Sequence, residues 1–217
     1  MRILIYGINF TPEITGIGKY TGEMAKAFVL SNNETRIVTA PPYYPDWKIG
    51  EGYSAWKYRV ETLSAGFSIY RCPLYVPTIP KTISRLLHLT SFAISSIPVM
   101  ARLLFWKPEA IIVVAPTLFC APVALLISRM SGARAVLHIQ DYEVDAMFAL
   151  GMMENSSFAR LVFAFERWLM KHFDRVSSIS HRMMNKAVEK GVSRNNVIFF
   201  PNWVDTQFVN PDKSGQA

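Results

Sequence analysis

Cysteine is nearly absent from this chain. Cys72 and Cys120 stand far apart, in neither a metal-ligand spacing nor a paired framework, which excludes a disulfide scaffold and a zinc module and suits a reducing compartment. The localisation expected on this ground is cytoplasmic. Acidic residues are outnumbered, 16 against 23 Lys plus Arg, and the formal charge of +7 favours an anionic partner: a phosphorylated substrate, an anionic lipid surface or a nucleic acid. There is no Arg/Lys-dense run and no zinc-finger or RNP-like motif, so no nucleic-acid partner is expected. The opening Met1 to Gly7 is too short for a signal peptide, has no small-residue cleavage site, and reads as a first strand. The apolar stretches are interrupted by charge or proline before reaching membrane-spanning length, and neither internal repeats nor low-complexity segments occur.

Apolar residues, in contrast, are plentiful. They make up 51% of 217 residues, enough to bury a substantial core, and the excess is expected at a membrane surface or a domain interface. Short β-rich runs occur at Ile3 to Tyr6, Arg36 to Thr39, Ala110 to Val114, Ala135 to Ile139, Val176 to Ile179 and Val197 to Phe200. Between them lie segments of helical period: Tyr20, Met24, Ala27 and Phe28 share one stripe, and Phe158, Leu161, Val162, Phe165 and Leu169 another. Near-continuous apolar strands alternating with helices predict an α/β, doubly wound, mostly parallel sheet with helices on both faces. In such sheets the ligand crevice lies beyond the carboxyl ends of the strands.

Five segments at those ends carry unusual chemistry. After the first strand, Gly16-Ile17-Gly18-Lys19 opens a helix, where backbone N–H groups and the helix dipole suit a phosphate; a turn that needs glycine for its dihedrals alone is the equal alternative. The third glycine of a dinucleotide fingerprint is missing, which speaks against a nicotinamide-dependent oxidoreductase. After the second strand, Pro41 to Trp47 forms a proline-braced aromatic loop in which Tyr43, Tyr44 and Trp47 suit stacking on a sugar and hydrogen-bonding its edge; a surface loop pinned by its prolines and packed through its aromatics is the alternative, and the safer one for any single residue. The stretch Lys81 to Lys107 reads as one long helix or two with a kink near Pro98. Its periodicity puts Leu86, Ala93, Ile97, Ala101 and Leu104 on one side. Lys81, Arg85, His88 and Arg102 fall on the other, with Phe92, Val99 and Trp106, the pattern of a helix at an anionic membrane surface or of a scaffold helix with a solvated face. At the end of the central strand, Asp141 and Glu143 are candidates for a general base or for positioning hydroxyls, unless they only cap a helix, while His138 reads as a core residue. Ser180 and Asn202 end the last two strands.

Taken in order, these pieces resemble the N-terminal domain of the retaining glycosyltransferase family 4, of two-domain GT-B architecture, and among its members the bacterial exopolysaccharide and colanic-acid biosynthesis enzymes. The residues that carry the likeness are Pro12 with Gly16 to Tyr20, Asp174-Arg175-Val176 with Ser180, and Pro201-Asn202-Trp203-Val204-Asp205 with Phe208 and Pro211. Trp203 stands where the family usually has glycine, and Gln140 where a histidine often precedes the aspartate. The resemblance implies a Rossmann-like domain over residues 1–205, with 206–217 beginning an interdomain linker or a disordered tail. It implies that Gly16, Ile17, Gly18 and Lys19 lie near the donor phosphate and sugar, that Tyr43, Tyr44, Trp47 and Asn202 face the acceptor, and that Asp141 is a catalytic candidate, which Glu143 joins from its place at the strand end. Lys81, Arg85, Arg102 and Trp106 form the expected membrane face. The implied partners are a nucleotide sugar, held mainly by a C-terminal domain, a lipid-linked saccharide and an anionic membrane surface; no cofactor and no metal is expected. A chain of this extent would have little transferase activity alone. The competing function is a stand-alone carbohydrate- or lipid-binding module.

Overall fold

The computed structural model describes residues 1–14, 16–64, 66–115, 118–142, 144–145 and 157–204. Among them eight strands form one sheet: β1 (Arg2–Tyr6), β2 (Glu34–Thr39), β3 (Arg59–Ser64), β4 (Phe67–Arg71), β5 (Ala110–Ala115), β6 (Arg134–Ile139), β7 (Arg175–Ser178) and β8 (Val197–Phe199). Five α-helices accompany them: α1 (Gly16–Leu30), α2 (Thr82–Leu104), α3 (Ala121–Ser131), α4 (Ser157–Lys171) and α5 (His181–Glu189).

The strand order is β3-β4-β2-β1-β5-β6-β7-β8, parallel throughout except for the antiparallel β3–β4 pair at one edge. All six strands anticipated from the sequence are present. The hairpin β3–β4 was not anticipated. Its Arg59–Ser64 strand is exposed almost throughout, so no apolar alternation marks it, and a charged edge of this kind resists pairing with other chains.

Alternation along β1 shows how the faces divide. Leu4 and Tyr6 join the larger core, together with Phe92, Met100 and Leu103 of α2, Ala121, Ala124 and Leu125 of α3 and Leu169 of α4. Ile3 and Ile5 point the other way, onto Met24 and Ala25 of α1. Both faces are therefore covered, which is why the strand Arg2-Ile3-Leu4-Ile5-Tyr6 is apolar at successive positions instead of alternating.

Helix α2 runs 23 residues with Pro98 inside it, so the two-helix alternative does not hold. From Ile83 to Leu104 it is long and apolar enough by length and composition to cross a membrane, contrary to the interrupted runs read from the sequence. Its inner face, however, is packed on the sheet through Leu89, Phe92, Met100 and Leu103.

The chain winds away from β1 in both directions, first through β2 and later through β5. That reversal creates a switch point, and the crevice beyond β1 and its neighbours is where this topology places a ligand.

Candidate functional site

A cavity of about 180 Å³ opens at that place. It is lined by Ile8 and Asn9 after β1, Gly16, Ile17 and Gly18 at the mouth of α1, Tyr43, Tyr44 and Trp47 after β2, Arg85, His88 and Leu89 of α2, and Asp141 after β6. Segments as far apart in sequence as Ile8 and Asp141 thus meet because each follows, or packs beside, a strand ending on the same side of the sheet. The volume is more than ten times the ~10–15 Å³ that one water needs.

The walls are held by two buried charges. Glu13, only 4% exposed, accepts the backbone N–H groups of Tyr43 (3.2 Å) and Tyr44 (3.1 Å) through Oε1, and the Asn9 amide through Oε2 (3.0 Å). Burial pushes its carboxyl up, while the hydrogen bonds from Asn9, Tyr43 and Tyr44 and the nearby Arg71 favour the ionised form. Arg71, equally buried, pairs with Glu61 (2.8 Å) and donates to the carbonyls of Ala40 (3.0 Å) and Thr11 (2.6 Å). The glycine loop and the aromatic loop are therefore one braced unit. Neither Glu13 nor Arg71 was singled out from the sequence, where nothing but adjacency to Pro12 and Gly16 marks Glu13.

The two glycines divide the alternatives that the sequence left open. Gly16 adopts φ +57° with open space around it, so its hydrogen serves backbone conformation. A Cβ on Gly18 would fall 2.6 Å from Glu13 Oε2, so this glycine admits the buried carboxylate. Both still border the cavity, where the N-terminus of the 15-residue α1 presents its unpaired N–H groups and positive dipole end. Lys19 does not line the cavity; it lies 3.9 Å from Glu23 one helical turn on.

On the opposite wall, His88 is 1% exposed, with its ring edge-on to Tyr43 (4.6 Å) and tilted against Trp47 (5.1 Å). Its Nδ1 lies 2.6 Å from the carbonyl of Tyr75. Burial, helped by the Arg85 charge and opposed by that hydrogen bond, pushes its pKa down to about 4. Trp47 has φ +52°, a left-handed conformation rare for a bulky residue and a mark of a constrained site. Helical spacing groups His88 with the basic side of α2 but does not say which stripe meets the sheet; the structure turns His88 inward.

Asp141 is exposed and lies between the main cavity and a smaller one of about 20 Å³ lined by Tyr142, Val144 and Glu166. Glu143 lies outside the described residues. Behind Asp141 the loop is anchored: Tyr142 donates to the Met183 carbonyl (2.8 Å), and Lys190 pairs with Asp145 (2.7 Å) and Glu166. Lys186 also pairs with Asp145, at 2.8 Å. Burial acts to raise the Asp145 carboxyl, but the hydrogen bonds and charges of Lys186 and Lys190 outweigh it and hold the group below its usual range. His138 is a core residue, as read: it is hydrogen-bonded to Ser177 (3.0 Å), packs edge-on to Phe200, and burial pushes its pKa down to about 4. The Ser180 hydroxyl caps α5 by accepting the Met183 N–H (3.2 Å). Asn202 is half-buried and is not among the cavity residues. Its neighbour Trp203 packs edge-on to Tyr20 (5.6 Å) and Phe200 (5.8 Å), so the large side chain in place of glycine closes the chain back onto α1.

The expected membrane face is corrected in part. Lys81 and Arg102 are exposed. Arg85 instead lines the cavity, and Trp106 is half-buried, donating from Nε1 to Glu34 (2.8 Å) beneath the Arg36 guanidinium (4.4 Å). Phe92 and His88, read as outward, are buried; Ile97 and Ala101, read as inward, are exposed. The outward stripe consists of Ile83 (74% exposed), Leu87, Ile94, Ile97 and Phe105 (85%), which fall within roughly an 80° arc at ~100° per residue.

The profile of the glycosyl transferase 4-like domain matches residues 15–203. The Escherichia coli (strain K12) protein WcaI, named as a colanic acid biosynthesis glycosyl transferase, is 58% identical over 207 residues, which cover 94% of this chain and 50% of that protein. The chain thus spans about half the length of this relative. Among solved structures, the catalytic domain of starch synthase IV from Arabidopsis thaliana, bound to ADP and acarbose, aligns over 99% of this chain and 54% of its own with a TM-score of 0.61 at 12% identity. Anabaena HepE in complex with UDP aligns over 98% and 47% with a TM-score of 0.53 at 12% identity. At such identities these two likenesses concern the fold.

Proposed function

The chain belongs to the glycosyl transferase 4-like domain family, and on that premise we propose that it is the acceptor-binding half of a retaining transferase of exopolysaccharide assembly, of the colanic-acid type. The enzyme moves a sugar from a nucleotide sugar to a lipid-linked saccharide at the inner face of the cytoplasmic membrane. One observation carries the reading: the N-terminus of α1 and the aromatic loop face each other across a single cavity. The N–H groups of Gly16 to Gly18 suit the donor diphosphate and the negative charge that develops on it as the glycosidic bond breaks. Tyr43, Tyr44 and Trp47 offer a sugar ring apolar faces and polar edges. Asp141, exposed at the cavity, is the residue that orients or deprotonates an acceptor hydroxyl in this reading. The helix dipole and backbone donors supply the charge stabilisation, so the reading needs no metal and no cofactor. In this reading the described residues up to 204 belong to the acceptor domain, and the linker or disordered tail expected at 206–217 lies outside the described residues. In this reading most of the nucleotide is held by a C-terminal half, and these 217 residues alone turn over nucleotide sugar little or not at all.

Saturation-transfer NMR with a short-chain polyprenyl diphosphate hexose tests the acceptor role. Saturation is expected on the sugar ring protons and is expected to fall in Trp47→Ala and Tyr44→Ala. Equal saturation in both variants would remove the acceptor from this cavity.

The outward stripe of α2 supports the membrane part of the reading. Leaving Ile83, Leu87, Ile94, Ile97 and Phe105 in water forgoes burial worth about 25 cal/mol per Å², which an acyl-chain boundary recovers, and Arg102 and Lys81 supply attraction to anionic headgroups. Co-sedimentation with liposomes of one-quarter phosphatidylglycerol, by order of magnitude near a cytoplasmic leaflet's charge, is expected to weaken in Ile83→Ser with Phe105→Ser. Unchanged sedimentation in that double variant would exclude the stripe.

A further inference from the structure

One group at the cavity is left without a function by this account. A carbonyl oxygen only accepts, so the 2.6 Å contact with Tyr75 fixes the proton on Nδ1 of His88. The ring is neutral near pH 7, and its Nε2 therefore carries a free lone pair. That atom is buried and has no hydrogen-bond partner among the described residues. Folded proteins satisfy nearly all such groups, so an orphaned acceptor at the edge of a cavity calls for a donor from outside the chain. The donors that line the cavity, the Arg85 guanidinium, the Asn9 amide, the Tyr43 and Tyr44 hydroxyls and the Trp47 indole N–H, make no hydrogen bond to it, and the rings of Tyr43 and Trp47 pack against the imidazole instead.

Resting on the acceptor reading above, we propose that His88 is a specificity-determining residue: its Nε2 accepts a hydrogen bond from one hydroxyl of the acceptor sugar as the ring seats against Trp47. The chemistry selects sharply. A hydroxyl or an amide N–H satisfies the lone pair; a deoxy carbon, an O-methyl group or a fully ionised phosphate cannot donate and leaves it unmet. Because Nε2 is shielded from bulk water, seating the hydroxyl moves the Trp47 indole away from the imidazole.

The test uses the chain labelled with 15N histidine and 15N tryptophan, titrated with the short-chain polyprenyl diphosphate hexose. The Trp47 indole signal is identified from its loss in Trp47→Phe. Movement of both the Trp47 indole signal and the His88 Nε2 resonance, the latter by several ppm toward the hydrogen-bonded position, is expected. Methylating the hydroxyl that makes the contact is expected to weaken binding roughly tenfold, about 1.4 kcal/mol, the net worth of one such bond. If Trp47 responds while Nε2 stays still, the acceptor is in the cavity and the role of His88 is overturned. If neither responds, the acceptor reading fails and this proposal with it.

Discussion

Oε1 of Glu13 accepts the backbone N–H of Tyr43 at 3.2 Å while also accepting that of Tyr44 at 3.1 Å, so one buried carboxylate ties the loop after β2 to the loop after β1. The two walls of the cavity consequently cannot move independently. Removing the carboxylate strands the buried Tyr43 N–H and the part-buried Tyr44 N–H, and takes an acceptor from the Asn9 amide.

Glu13→Ala is therefore expected to cost about 2–4 kcal/mol, at ~1–3 kcal/mol per unsatisfied buried donor. Glu13→Gln keeps an acceptor oxygen toward Tyr43 and Tyr44 but sets an amide against Asn9, so a smaller loss is expected. Urea denaturation of the three proteins checks the order.

The glycines give a second ordering. A Cβ at position 18 meets Glu13 Oε2 at 2.6 Å and Glu13 Cβ at 2.7 Å, whereas one at position 16 meets nothing and pays only for its left-handed φ. Gly18→Ala is expected to lose about 2–3 kcal/mol by overpacking and Gly16→Ala about 1 kcal/mol. Thermal midpoints of the two variants settle it; a larger loss for Gly16→Ala would mean that Gly18 is not packed as described.

Stability should fall in mild acid. His88 and His138 take up a proton only near pH 4 in the folded chain but near ~6.5 when unfolded. Between those values the unfolded state binds more protons, so stability declines as pH falls through the window, by about 1.4 kcal/mol per pH unit for each histidine. Glu13 opposes this: its carboxyl is pushed up on folding, so its contribution grows as pH falls through the folded value. Denaturation midpoints from pH 6.5 to 4.5 are expected to drop, with roughly half the slope in His138→Gln.

The cluster behind Asp141 makes a further test. Lys190→Met leaves Asp145 with only Lys186 and Glu166 with no cation among the described ion pairs. A loss of about 3–5 kcal/mol is expected, and adding Glu166→Met should restore much of it, because an apolar pair replaces a stranded charge. Calorimetry on the single and double variants distinguishes this from a purely local effect.

Much of this molecule was legible beforehand, for reasons that particular residues show. The run Ile3-Leu4-Ile5-Tyr6 demands two covered faces and so announces a parallel sheet, and strand ends in such a sheet locate the glycine and aromatic loops. What the sequence hid depended on orientation or on long-range pairing. Helix α2 carries apolar residues on both of its sides, so its periodicity could not say that Phe92 and His88 face the sheet while Ile83 and Phe105 face out. Glu13 and Arg71 gain their meaning from partners 30 and 60 residues away. Strand β3 is an exposed edge whose two apolar residues, Val60 and Leu63, do not alternate.

The central claim is that the acceptor sugar occupies the cavity between the α1 N-terminus and the aromatic loop. A crystal structure of the chain soaked with a short-chain polyprenyl diphosphate hexose tests it most directly. The account predicts sugar density bounded by Gly16 to Gly18, Tyr43 to Trp47, His88 and Asp141. Density seated elsewhere, as on the outward stripe of α2 with the cavity vacant, would contradict it.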